Sequence, residues 1–153
     1  MFDIFTDGAC IGNPGPGGWA FLIKHEELKN PISGAGGETE TTNKRIELFA
    51  VIAAFEAFNI KRNKNARCTV HSDSKYVVDA FRQAWINQWQ QKEWRTSNKK
   101  PVKNKDLWER LLDAVANHEV RWNWAKGHAG HPENEIVDEL ARKEAERYAR
   151  RLP

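Results

Sequence analysis

Residues 12–18 read GNPGPGG, four glycines and two prolines in seven positions. Such a run cannot continue a helix, because proline lacks the amide N–H and glycine costs about 1 kcal/mol relative to alanine in a helix interior. It is a turn. Before it Phe2–Thr6 alternates in the manner of a strand and stops at Asp7-Gly8, and after it comes a second strand-like segment, Trp19–Lys24. A hairpin follows. A third, weaker strand is placed at Pro31–Gly36, where Gly and Ser make poor strand interiors. The chain therefore lays down antiparallel structure before any helix.

Helical periodicity starts at Thr42, with Ile46, Ala50, Ala53 and Ala57 as one stripe and Phe49, Ile52 and Glu56 beside it, and it ends near Ile60 before KRNKNAR. Cys68–His71 is a short strand, and SDSKYVVDAF continues as a helix capped by Asp73 or Ser74. A helix is expected over 104–117, with Leu107, Trp108, Leu111 and Val115 on its apolar side. Glu119–Trp124 alternates as the last strand. Pro132 then opens a helix running toward Tyr148, with Glu133 and Glu135 near the positive end of its dipole. The order β-β-β-α-β-α-α-β-α implies an α/β fold, a mixed sheet with helices on its faces.

At 153 residues the chain is read as one domain, 1–153, and no apolar stretch approaches the roughly 20 residues of a membrane span. The start, MFDIFTDG, lacks the basic end and apolar core of a secretory signal, which points to the cytosol. Cys10 and Cys68 are too few for a disulfide framework and are read as buried or half-buried thiols. A net charge of +3 is a weak pointer to a polyanion, but the charge is unevenly spread. Between Arg82 and Lys105 lie seven bases, one acid, Glu93, and three tryptophans, Trp85, Trp89 and Trp94. That segment has the makings of a basic, aromatic surface.

Four acids stand out. Glu47 shares its side of the first helix with Val51, Ala54 and Phe58, an unusual stripe for a carboxylate. Taken singly, each acid has a plainer use. Glu47 suits a solvent edge, Asp7 a turn before glycine, Asp73 a helix cap, and Asp138 a solvated face between Glu135 and Glu139. Brought together, they would make an oxygen-only site for a hard divalent cation.

The segments FTDGACIGNPGPGGWA, TTNKRIELFA, SDSKYV, KKPVKNKDLW and KGHAGHPENEIVDELA, in this order, resemble the type 1 ribonucleases H across nearly the whole chain. The resemblance implies a ribonuclease H-like fold, a five-stranded mixed sheet in the order 3-2-1-4-5 flanked by helices. It implies metal-dependent endonucleolytic cleavage of the RNA strand of an RNA/DNA hybrid. The family's metal-binding carboxylates fall on Asp7, Glu47, Asp73 and Asp138. Two Mg²⁺ ions are expected with substrate, Mn²⁺ being able to substitute, and the products carry 5′-phosphate and 3′-hydroxyl ends. Asp7 is expected to be shared by both ions, with Glu47 and Asp73 mainly on one and Asp138 on the other. His128, in KGHAGHPEN, matches the family's active-site histidine and suits proton transfer or product release. His131 is read as a plain loop histidine, and a zinc site is disfavoured because no cysteine has a partner at ligand spacing.

By the same resemblance Asn13 and Asn43 meet the RNA strand in the minor groove, while Thr42 and Asn104 hold a DNA-strand phosphate. Trp85, Trp89, Lys99 and Lys100 belong to the family's basic protrusion. The chain departs from the pattern at three places. Lys44 stands where an amide is common and cannot accept a hydrogen bond, and Glu40 stands where some relatives carry an arginine facing the DNA phosphate. Within QQKEW, Glu93 occupies the place of a turn glycine, so the protrusion is expected to bind more loosely. Two other classes compete with this reading: a catalytically silent hybrid-binding module, which would not need all four acids, and a related polynucleotidyl transferase, which would lack the protrusion and the GNPGPGG and KGHAGHPEN segments. A monomer of minimal bacterial or archaeal type, with no obligate protein partner and no membrane, completes the expectation.

Overall fold

The computed structural model describes residues 1–62, 64–126 and 131–152. Strands β1 (Phe2–Cys10), β2 (Gly15–Lys24) and β3 (Ile32–Thr41) precede helix α1 (Asn43–Lys61). Strand β4 (Arg67–Ser72) leads to α2 (Lys75–Arg82), α3 (Trp85–Gln91) and α4 (Lys105–Val115), and β5 (Glu119–Trp124) leads to α5 (Pro132–Ala149). The sheet order is β3-β2-β1-β4-β5, antiparallel between β1, β2 and β3 and parallel between β1, β4 and β5. The order 3-2-1-4-5 expected by resemblance is the one observed.

Three local expectations need correction. Strand β1 does not stop at Asp7-Gly8 but continues to Cys10, with Asp7 paired opposite Ala20, so Asp7 is no turn residue. The partner strand decides this: the pairing of Gly8 with Trp19 and of Cys10 with Gly17 holds the chain extended. Strand β3 likewise runs on to Thr41 because β2 supplies a ladder, and sheet pairing overrides the poor strand propensity of its glycines. Trp85–Gln91 adds a third helix between β4 and β5, where the sequence reading has only a basic aromatic surface.

Each sheet face buries a different layer. On one face Ile4, Phe21, Ile23 and Val70 pack with Leu48, Ile52, Phe55 and Phe58 of α1 and with Trp108 and Leu111 of α4. On the other, Phe5 and Ala20 meet Val137 and Ala141 of α5. Thr42 caps α1, its Oγ1 accepting from the Arg45 N–H at 3.2 Å, and Ser74 caps α2 through the Val77 N–H at 3.3 Å. Among the described residues no helix is long and apolar enough to cross a membrane.

Helix α5 lies flush against β2 because Gly18 has no side chain: a Cβ there would stand 2.2 Å from the Ala141 carbonyl oxygen and 2.5 Å from the Ala145 nitrogen. Backbone cannot yield as a side chain can. Gly18→Ala is therefore expected to lower stability by about 3 kcal/mol, read as a shift of the urea midpoint with little change in slope. Gly34→Ala, where the new methyl would meet only the Phe21 ring at 2.7 Å, should lose less.

Candidate active site

The ladder between β1 and β4 ends at Thr6 and Ser72, so the next residues, Asp7 and Asp73, flank the point where two parallel strands part. Such partings at the carboxyl ends of strands are where α/β sheets offer a crevice. Asp7 is 6% exposed, and its Oδ1 accepts the Gly8 N–H at 2.8 Å. Gly8 faces the other way, toward α1. A Cβ on it would come within 2.9 Å of the Ile46 carbonyl and the Glu47 nitrogen, so the absent side chain lets α1 bring Glu47 against β1. The Trp124 indole N–H donates to the Asp73 carbonyl at 3.1 Å and ties that turn to the end of β5. Asp138 comes from α5, where the Arg142 Nε donates to its Oδ2 at 3.3 Å.

The acids feel one another. Burial, then the charge of Asp73, then the charge and hydrogen bond of Asp138 push the Asp7 carboxyl up to about 9, against the pull of the Gly8 N–H. Glu47 is also raised, chiefly by burial and then by Asp73, while the Ser74 hydroxyl and Lys44 pull it down. Asp73 is thus coupled to both Asp7 and Glu47, and Asp138 to Asp7. Among the described residues no group of three or more His, Cys, Asp or Glu forms a ready-made metal cage. The couplings run in pairs, with Asp138 also engaged by Arg142 and Glu47 by Ser74. The donor set is oxygen-only and carries excess negative charge, which fits a hard divalent cation. It does not fit zinc: the Cys10 thiol donates to the Gly12 carbonyl at 2.8 Å, and Cys68 is buried in the core. His128 lies outside the described residues.

The expected substrate residues fall into two groups. Asn13, Thr42, Asn43, Lys44 and Asn104 gather at the start of α1. The Asn13 Oδ1 accepts from the Asn43 N–H at 3.1 Å, and the Lys44 ammonium lies 4.9 Å from the Tyr76 ring centroid. The Asn104 Oδ1 accepts from Arg45 at 3.2 Å and its Nδ2 donates to the Tyr76 hydroxyl at 3.3 Å. Trp85 and Trp89 sit on α3, 6.5 Å apart, with Trp89 leaning on Trp94 and Trp108 at 6.2 and 5.5 Å. Both are half-buried, and they line a cleft of about 240 Å³ with Gln88, Lys92 and Arg95. Lys99 and Lys100 are exposed beyond them.

Sequence reasoning missed several supports. Arg45 reaches Asp106 through two hydrogen bonds of 3.0 and 2.9 Å while holding Asn104, a pairing across 61 positions that no periodicity announces. His71 is buried, its Nε2 at 2.9 Å from Asp3 and its Nδ1 at 2.9 Å from Asn123, with its ring on Phe5 and facing His131 at 4.7 and 4.8 Å. His131 is therefore more than a plain loop histidine. Strand alternation alone would have turned His71 inward beside Phe5.

The RNase H family model matches residues 2–146. A ribonuclease H of Novosphingobium aromaticivorans is 55% identical over 91% of this chain and 92% of its own length, and one of Oleidesulfovibrio alaskensis is 48% identical over 95% and 90%. Among solved structures, LC9-RNase H1, a type 1 RNase H with the type 2 active-site motif, matches with a TM-score of 0.84 at 32% identity, over 97% of this chain and 73% of that one. LC11-RNase H1 in complex with an RNA/DNA hybrid shares the fold, with a TM-score of 0.71 at 21% identity over 96% and 98%. Sheet order, helix placement and these likenesses define the class as an α/β nuclease, a hydrolase. The chain belongs to the ribonuclease H family, a family dependent on divalent metal.

Two predictions follow from this geometry. A carboxyl with a raised pKa in the native state binds its proton more tightly there than in the unfolded chain, so its stabilising contribution is complete below about pH 4 and is lost as pH rises toward 9. In chelator, Asp7→Asn should match wild type near pH 4 and exceed it at pH 7, by on the order of 2 kcal/mol in thermal melts. A wild type as stable at pH 8 as the variant would contradict the burial of a repelled charge. In the protrusion, Glu93 and Trp94 adopt φ of 56° and 60°, the left-handed region that favours glycine. Glu93→Gly should therefore raise stability by roughly 0.5 kcal/mol, measured by the same melts.

Proposed function

We propose that this protein cuts the RNA strand of RNA/DNA hybrids internally, by metal-dependent phosphodiester hydrolysis that leaves 5′-phosphate and 3′-hydroxyl ends. The observation that carries the proposal is Asp7, buried at the strand parting and coupled to Asp73 and Asp138. Family membership and the hybrid bound by LC11-RNase H1 support the choice of substrate. Asp7, Glu47, Asp73 and Asp138 would hold two Mg²⁺ ions, with Mn²⁺ as a substitute and Asp7 shared between them. When bound, the ions supply charge neutralisation at the phosphate and a water of lowered pKa.

The chain's own residues do the rest. The Gly8 N–H and Ser74 hydroxyl fix the carboxylates of Asp7 and Glu47, and the Trp124 indole fixes the Asp73 turn. Asn13 and Asn43, bonded to each other at the head of α1, stand ready to meet 2′-hydroxyls on the RNA strand. Thr42 and Asn104 hold a DNA-strand phosphate, with Asn104 oriented from both sides by Arg45 and Tyr76. Trp85, Trp89, Lys99 and Lys100 extend the DNA-strand contact along the protrusion, and His128 serves proton transfer or product release. A single-domain monomer acting in the cytosol belongs to the same proposal.

Labelled hybrid, duplex RNA, duplex DNA and single strands, incubated with Mg²⁺, Mn²⁺ or chelator, test it. Cuts confined to the RNA strand of the hybrid are expected, and chelator or Asp7→Asn should reduce the rate at least about a thousandfold. A silent hybrid-binding module would retain hybrid without cutting it under any metal. An Asp7→Asn protein of unchanged rate would remove the site.

A further inference from the structure

One pair of cations has no place in the site described so far. Lys75 opens α2 and Lys126 follows β5, and both ammonium groups lie over the ring of Trp124, 5.1 and 5.8 Å from its centroid. Both lysines are exposed and Trp124 is half-buried. Neither lysine forms an ion pair among the described residues, whereas the basic residues of α5 do: Arg142 with Asp138, Lys143 with Glu139 and Arg147 with Glu144. Lys75 is at the end of α2 where the helix dipole disfavours a cation, and the first turn holds no acid. Two like charges are thus drawn to one indole, and no ion pair among the described residues neutralises either. The indole face accounts for their position, since cation–π attraction holds ammonium groups above a tryptophan. It does nothing to neutralise them.

Trp124 also fixes where the pair sits. Its ring nitrogen donates to the Asp73 carbonyl, so the two ammonium groups flank the β4–β5 side of the strand parting. The DNA-strand groups of the proposed function lie elsewhere, at the start of α1, on α3 and in the segment that follows α3. We infer that Lys75, Trp124 and Lys126 form a phosphate saddle for the RNA strand beside the linkage to be cut. Lysine suits this use, a mobile point charge that donates to a phosphate oxygen without demanding bidentate geometry. The saddle would draw the RNA strand toward four acids that otherwise repel it. This inference rests on the proposed hybrid substrate and adds a strand-specific contact to it.

Hybrid binding in chelator, measured over a range of salt, tests the saddle apart from cutting. For Lys75→Gln/Lys126→Gln the slope of log affinity against log salt should fall by nearly two, about 0.9 per lost phosphate contact, with a roughly tenfold loss of affinity at low salt. Lys75→Arg/Lys126→Arg should keep the wild-type slope, and Lys143→Gln, whose partner is Glu139, should leave it unaltered. Neutral methylphosphonate linkages assign the strand. Placed in the RNA strand next to the cut they should weaken wild type but not the glutamine variant; placed in the DNA strand opposite they should weaken both alike. An unchanged slope, or sensitivity that follows the DNA strand, overturns the saddle. If wild type with Mg²⁺ cuts hybrid while the slope is unmoved, the saddle alone fails; if wild type leaves hybrid intact, the substrate assignment fails and the slope still reports on the lysines.

Discussion

Asp7 is a carboxyl whose ionised form its surroundings resist, and the rest of the molecule is arranged to keep it there. Strand β2 holds β1 extended through Asp7, so the carboxyl cannot swing out on a turn. The Gly8 N–H meets one oxygen, while the missing Gly8 side chain admits the backbone of α1 and with it Glu47. Helix α5, seated on the opposite face through Phe5, Ala20, Val137 and Ala141, delivers Asp138. The repulsion among these acids costs stability, and the apolar layers on both faces of the sheet offset it.

The supporting contacts are as organised as the acids. Ser74 caps α2 and bonds Glu47, Trp124 anchors Asp73, and Arg45 joins the start of α1 to the start of α4 through Asp106 and Asn104. Each links an element bearing a candidate site residue to a neighbouring element of the fold. Pre-organisation of this kind removes entropy that would otherwise be lost on binding. The protrusion is built differently. Its helix is short, its turn places two side-chain-bearing residues in the left-handed region, and its tryptophans lean outward from Trp108 at tilted angles.

Much of the fold is legible in the residues because periodicity and punctuation agree there. The stripe of α1, the alternation of β5 and the Pro132 start of α5 stand where the sequence places them, while the GNPGPGG turn is shorter than expected, since β2 begins at Gly15 and not at Trp19. The failures have a common cause. Asp7-Gly8 looks like a turn, β3 looks like a weak strand ending at Gly36, and only a neighbouring strand carries either further; pairing partners are invisible to a local reading. Helix α3 was hidden because Trp85, Trp89 and their polar neighbours read as surface. The acids became a set through the family's motifs, since Glu47 and Asp138 each have a plausible solvated use. Long-range polar contacts such as Arg45 with Asp106 and His71 with Asp3 leave no periodic trace at all.

Helix α5 also comes close to backbone, where Gly18 and Gly37 let it settle against β2 and Tyr148 against β3. Asp138 precedes Ala141 by three residues, about 4.5 Å along the axis at the usual helical rise. Any atom inserted beneath Ala141 would act as a shim under a rigid bar, tilting the carboxylate together with the helix. A hydrogen at position 18, on the far side of β2 from every acid on α1, thereby sets the height at which Asp138 meets Asp7.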